Sequence, residues 1–288
     1  IMEHYLSYLD MKNEAELLLA SREDLEKCKT KVQGISDHTI NMIYSDCALL
    51  CGVKPRNGFE MLVKEMKNVI HFKTGDDEVD KFLMEEGISS DELVEISGAS
   101  GSGKTYFCLK MASLALLEQD IACIYVDTTN YLNITNLNMV LRNFMNQTSH
   151  AEKTKKVQEV LGRLRVLKIF DLDQLLLLLA QIVQMIRDKK MTFNLKMIVI
   201  DCLSGLFSGM GQKNQQYFSL VRELLYYFKI LTKKYFICVV FTNNTKDANV
   251  TRVTELKNLV GEPLTWAVDK QIYATQQNDQ TNYIIIKH

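Results

Sequence analysis

Gly98-Ala-Ser-Gly-Ser-Gly-Lys-Thr105 decides the fold. It satisfies the pattern G-x-x-x-x-G-K-[ST] in full, and its flanks are those the pattern needs. The apolar run Leu93-Val-Glu-Ile96 enters it as a strand. Phe107, Leu109, Met111, Ala112 and Leu114 follow it as the apolar stripe of a helix. Gly98, Gly101 and Gly103 let the backbone turn tightly and aim successive N–H groups at phosphate oxygens, and the helix start adds its positive end. The cofactor-binding set read from this stretch is Gly98, Ala99, Ser100, Gly101, Ser102, Gly103, Lys104, Thr105 and Tyr106. Lys104 is assigned to the β- and γ-phosphates and the Thr105 hydroxyl to Mg²⁺.

Strand and helix patterns alternate outward from this loop. Apolar strands are predicted over Leu93–Ser97, Ala122–Asp127, Val166–Phe170, Met197–Asp201 and Ile237–Thr242. Helices are predicted over Thr105–Glu118, Ile134–Asn146, Leu172–Lys189 and Gln215–Lys234. Continuous apolar strands alternating with helices make an α/β fold with a mostly parallel sheet covered on both faces. Two last runs, Gln271–Thr275 and Asn282–Lys287, have no helix between them and predict an antiparallel edge. Met197-Ile-Val-Ile-Asp201 ends a buried strand in a carboxylate at the edge where such folds bind ligands, which suits Asp201 to holding Mg²⁺.

Residues 1–51 read as a small N-terminal helical domain, 52–72 as a linker around Pro55 and two glycines, and 73–288 as the phosphate-loop domain. The net charge of −1 excludes a strongly basic coat for nucleic acid, and 47% hydrophobic residues exclude a disordered chain. The sum hides a division. Residues 1–127 carry 13 basic and 23 acidic side chains, and residues 128–288 carry 21 and 12. Seven scattered cysteines without a CxxC pair read as buried, reduced thiols of an intracellular protein. Leu175–Ile186 is too short to span a bilayer and reads as a buried helix, so no membrane partner is expected.

These residues resemble the RecA/RadA recombinase family over most of the chain. The lead-in Thr74-Gly75 through Asp80-Lys81-Phe82-Leu83 to Gly87-Ile88 is similar to T-G-x-x-x-L-D-x-L-L followed by G-G-I. Tyr125-Val126-Asp127-Thr128 resembles Y-[IV]-D-[TS], and Val239–Asn244 resembles [VI]-x-x-T-N-[QH]. Arg163–Asp171 before a Leu-rich helix, and Val260-Gly261 with Trp266, are similar to the D-type paralogue branch of the eukaryotic recombinase. The resemblance implies a RecA-like phosphate-loop ATPase core, ATP and Mg²⁺ as cofactors, and catalytic positions at Lys104, Asp201 and Asp127. It also implies other recombinase paralogues as partners in a heteromeric complex, single-stranded or branched DNA as a ligand, and the nucleus as location.

The chain departs from the family at informative places. The water-activating Glu of the family falls at Thr129, which cannot act as a carboxylate base. Its phosphate-sensing Gln falls at Asn244, the Gln after the loop Thr at Tyr106, and a late Arg at Gln271. DNA loops are expected near 203–216 and 244–262, with Lys213, Lys246, Arg252 and Lys257 as cations and Phe207 as a base-stacking candidate. The neighbour-docking motif has only a poor counterpart in Phe59-Glu-Met-Leu62. The leading expectation is an ATP-binding accessory factor of homologous recombination and double-strand break repair, with slow or partner-dependent hydrolysis. A self-assembling DNA-dependent ATPase is the alternative, with Asp127 positioning water. A small-molecule phosphotransferase stands third. The division of charge suits head-to-tail docking of an acidic side on a basic neighbour.

Overall fold

The computed structural model describes residues 57–83, 85–145, 150–207, 215–245, 262–277 and 280–287. The chain divides into two compact units, Ile1–Glu65 and Met66–His288. In chain order the elements are α1 (Gly58–Asn68), β1 (His71–Phe72), α2 (Asp77–Phe82), β2 (Ile88–Ser89), β3 (Leu93–Gly98), α3 (Lys104–Glu118), β4 (Ala122–Asp127), α4 (Ile134–Phe144), α5 (His150–Arg163), β5 (Leu164–Lys168), α6 (Leu172–Arg187), β6 (Leu195–Asp201), α7 (Leu203–Leu206), α8 (Gln215–Lys229), β7 (Cys238–Asn244), α9 (Glu262–Ala267), β8 (Lys270–Gln277) and β9 (Gln280–Lys287). Helix α8 continues into a π-helical turn, Ile230–Lys234.

Every residue of β3 and of β4 is buried, the signature of strands covered on both faces. They belong to a seven-stranded sheet of order β5-β4-β6-β7-β3-β8-β9. All its pairings are parallel except β8 with β9. The fold is the expected α/β architecture with an antiparallel edge. Strand alternation sorts the core into two layers. On one face Ile124, Val126, Ile198, Ile200, Val239 and Phe241 pack with Leu175 and Leu179 of α6 and Leu224 and Phe228 of α8. On the other, Cys123, Tyr125, Met197, Val199 and Val240 pack with Phe107, Met111 and Leu116 of α3 and Leu137 and Leu141 of α4.

Local signals start the helices. Asp171 accepts the Gln174 N–H at 2.7 Å and so caps α6, and Asn133 does the same for α4 through the Thr135 N–H at 2.8 Å. Leu175–Ile186 lies inside α6 and is buried on one face only, through Leu175, Leu176, Leu179, Ile182 and Val183, with Leu177 exposed, and among the described residues no helix is long and apolar enough to cross a membrane. Strand β5 starts two residues earlier than its apolar count predicts. Leu164 already pairs with Cys123, whereas Phe170 lies beyond the ladder and is exposed. Arg163 donates to the carbonyls of Leu116, Gln119 and Ile121 and closes the end of α3. Residues 1–51 lie outside the described residues, as do Cys28, Cys47 and Cys51. Cys108, Cys123, Cys202 and Cys238 are buried free thiols.

Candidate nucleotide-binding site

Strand β3 delivers the loop to the carboxyl edge of the sheet, between β7 and β8. Gly103 takes a φ of +89°, open to glycine at no steric cost, and helix α3 starts on the next residue. The Lys104 ammonium is folded into the loop, donating to Ala99 O at 2.6 Å and Gly98 O at 3.0 Å. Burial pulls its pKa below the ordinary lysine value, opposed by the nearby Cys202 and Asp201. The Ser102 hydroxyl is buried and without a hydrogen-bond partner.

Beside the loop lies a cavity of about 630 Å³. Of the residues singled out in the sequence, Ser100, Gly101, Gly103, Lys104, Thr105, Tyr106 and Asp201 line it. Thr129 and Asn244 line it too, together with Cys202, Tyr131, Asn136 and Asn143. Gly98, Ala99 and Ser102 do not line it. Tyr106 is half exposed at the mouth, with the Lys110 ammonium 5.9 Å from its ring centre.

Asp201 is fixed from two sides. Tyr125 donates to its Oδ2 at 2.9 Å and Thr242 to its Oδ1 at 2.6 Å. Burial, and then the charge of Asp201, push the Tyr125 phenol far up, so it remains a donor. Tyr125 and Thr242 belong to the strand motifs, whose pattern assigns them no role. Their signal is a polar side chain near the carboxyl end of an otherwise apolar strand, on the same face as the carboxylate. Thr128 latches the neighbouring strand end. Its hydroxyl donates to Cys202 O and accepts the Cys202 N–H, both at 2.7 Å.

Asp127 does not line the cavity. Its Oδ1 accepts from the Thr129 N–H and hydroxyl at 3.0 and 3.2 Å, and its Oδ2 accepts the Leu132 N–H at 3.0 Å. The carboxylate is thus spent on shaping the loop after β4. Phe207, expected as a base-stacking surface residue, is buried and packs edge-on against Tyr217 at 5.6 Å. Its aromatic surface completes the apolar core. Lys213, Lys246, Arg252 and Lys257 lie outside the described residues. Gln271, standing where the family has Arg, donates to the fully buried Glu95 at 3.1 Å, and Asn243 donates to it at 2.7 Å.

The residues fit a nucleoside triphosphate with a divalent ion. Lys104 lines the cavity and is bonded only to loop carbonyls, so its ammonium is a donor that phosphate oxygens would satisfy. Among the described residues no three His, Cys, Asp or Glu side chains could hold a metal by themselves. Thr105 and Asp201 therefore suit Mg²⁺, which keeps waters and takes substrate phosphates as ligands.

The Rad51 family model matches residues 65–268. The chain belongs to the Rad51 family. Among curated proteins it is 25% identical over 244 residues to the mouse "DNA repair protein RAD51 homolog 4", covering 82% of this chain and 70% of that protein. It is 26% identical over 281 residues to the "Probable DNA repair protein RAD51 homolog 4" of Dictyostelium discoideum, covering 85% and 77%. The "DNA repair and recombination protein RadA" of Methanoculleus marisnigri is 26% identical over 168 residues, 51% of each chain. In this Rad51-family chain the phosphate loop, Asp201 and Thr129 share one cavity.

Proposed function

We propose that this chain is an ATP-binding accessory factor of homologous recombination and DNA double-strand break repair, acting in the nucleus within a heteromeric complex of recombinase paralogues. Proteins of the family bind ATP with Mg²⁺. The names of the mouse and Dictyostelium relatives support the repair role. The complex promotes recombinase loading or strand exchange on single-stranded or branched DNA. The domain division proposed for that role is 1–51, 52–72 and 73–288.

One observation carries the reading. The cavity has the groups that bind and neutralise a triphosphate, yet Thr129 stands at the position of the family's general base. Phosphoryl transfer requires positioning, charge neutralisation and an oriented water. Lys104 would hold the phosphates, and Thr105 and Asp201 the ion, which offsets charge on the phosphate oxygens when bound. Thr129 offers a hydroxyl already directed at Asp127, and Asp127 has both oxygens engaged. Water activation in cis is therefore weak, and hydrolysis is slow or completed by a partner.

Titration with a fluorescent ATP analogue and Mg²⁺ tests this. Saturable binding that is lost in Lys104→Ala supports the reading. A wild-type chain that binds no analogue refutes it.

A further inference from the structure

We infer that the C-terminal hairpin β8–β9 belongs to the nucleotide site, with Tyr283 and Thr281 as positioning residues that hold the phosphate-binding loop from behind. The inference rests on the nucleotide reading above and adds residues far from the loop in sequence.

The two glycines that bound the loop both abut this hairpin. A side-chain carbon on Gly98 would lie 2.3 Å from the Ala274 carbonyl oxygen of β8. One on Gly103 would lie 2.8 Å from Thr281 Cγ2 and 3.2 Å from the Tyr283 hydroxyl of β9. Ala274 pairs with Tyr283 across the hairpin, and β8 pairs with β3 up to Gly98 opposite Ala274. One cross-strand pair thus reaches both ends of the loop.

The contact at Gly103 is also polar. The Tyr283 hydroxyl donates to Gly103 O at 3.3 Å, and the same carbonyl accepts the Phe107 N–H at 2.9 Å as the first bond of α3. The Tyr283 ring packs on Phe107 at 4.6 Å between centres. Burial, with the charge of Asp76 adding to it, pushes the phenol up, so it stays a donor. Gly103 is where the loop turns into the helix that points its N–H groups at phosphates. A bond that fixes the Gly103 carbonyl fixes the direction of those donors.

The test uses the full chain and the variants Tyr283→Phe, which keeps the ring and removes the donor, and Thr281→Ala, which opens space beside Gly103. Two quantities are read: amide hydrogen exchange over 98–105 without nucleotide, and the Kd of the fluorescent ATP analogue with Mg²⁺. In both variants loop exchange rises, exchange over 122–127 and 195–201 stays at the wild-type rate, and Kd rises, for Tyr283→Phe about threefold to tenfold, the range for one neutral hydrogen bond. Wild-type loop exchange, wild-type Kd, or equally faster exchange in the two central strands overturns the inference. If the wild-type chain binds no analogue, the nucleotide reading fails, and loop exchange alone decides whether the hairpin braces the loop.

Discussion

Tyr125 and Asp201 meet at the carboxyl edge of the sheet, the phenolic O–H donating to the carboxylate at 2.9 Å from the adjoining strand. Thr242 donates from the opposite side at 2.6 Å. Both donors are uncharged, and together they hold the carboxylate in one orientation. Three adjacent strands supply these groups, with β5 intervening in sequence between β4 and β6, which makes the metal-facing end of the site a product of the sheet order β4-β6-β7.

Tyr125→Phe keeps the ring volume and leaves Asp201 one donor short in a buried place. A loss of about 1–3 kcal/mol in urea unfolding is expected, the usual range for an unsatisfied buried acceptor. The Mg²⁺ concentration needed for half-maximal analogue binding rises as well. Unchanged stability and unchanged Mg²⁺ dependence would contradict the assigned bond.

Gly87 has a φ of +82°, and a side-chain carbon there would lie 2.2 Å from the Phe72 carbonyl oxygen. Backbone cannot yield as a flexible side chain can. Gly87→Ala therefore costs about 1–3 kcal/mol from the backbone conformation alone, with the clash added. Thermal unfolding measures this. A melting temperature equal to wild type would refute the close approach of Gly87 to the Phe72 carbonyl.

Much of this was legible in the sequence because the signals were local. The loop pattern, the apolar runs that became β3, β4 and β6, and the missing helix between the last two strands each need only neighbouring residues. Contacts set by strand order were not legible. Nothing near Tyr283 points to Gly103, 180 residues away, and nothing near Arg163 shows that it closes α3. Asp127 carried a family role in the sequence, but its oxygens are taken by N–H groups of the turn that follows. Phe207 looked like a surface aromatic because glycines flank its loop, and the core claimed it instead.

Stability should fall at alkaline pH. Burial pushes the Cys123 thiol up to about 12 from an ordinary 9.0, and Cys108 and Cys238 are raised as well. The unfolded chain releases these protons from near pH 9, and the folded chain retains the Cys123 proton to about pH 12. The native state therefore binds more protons in that window, and stability present below it is lost as pH rises, by up to about 1.4 kcal/mol per pH unit for each thiol. Urea midpoints measured across this window should decline. A midpoint independent of pH would contradict the buried-thiol assignment.

Thr129→Glu places a carboxylate where the family carries its water-activating residue, on the wall of the cavity. ATP turnover should rise at least about tenfold, short of the ~10²–10⁴ that a fully positioned base contributes. Phosphate release by the purified variant measures it. A rate no higher than wild type would show that the missing base is not what limits hydrolysis.

The central claim is that this site binds ATP with Mg²⁺ but does not hydrolyse it rapidly unaided. Single-turnover phosphate release by the isolated chain, saturated with ATP, Mg²⁺ and single-stranded DNA, tests it most directly. Bound nucleotide recovered mainly as ATP, with release slow and unaffected by DNA, is the predicted result. Rapid DNA-stimulated release that Asp127→Asn abolishes would contradict it and establish a self-sufficient ATPase.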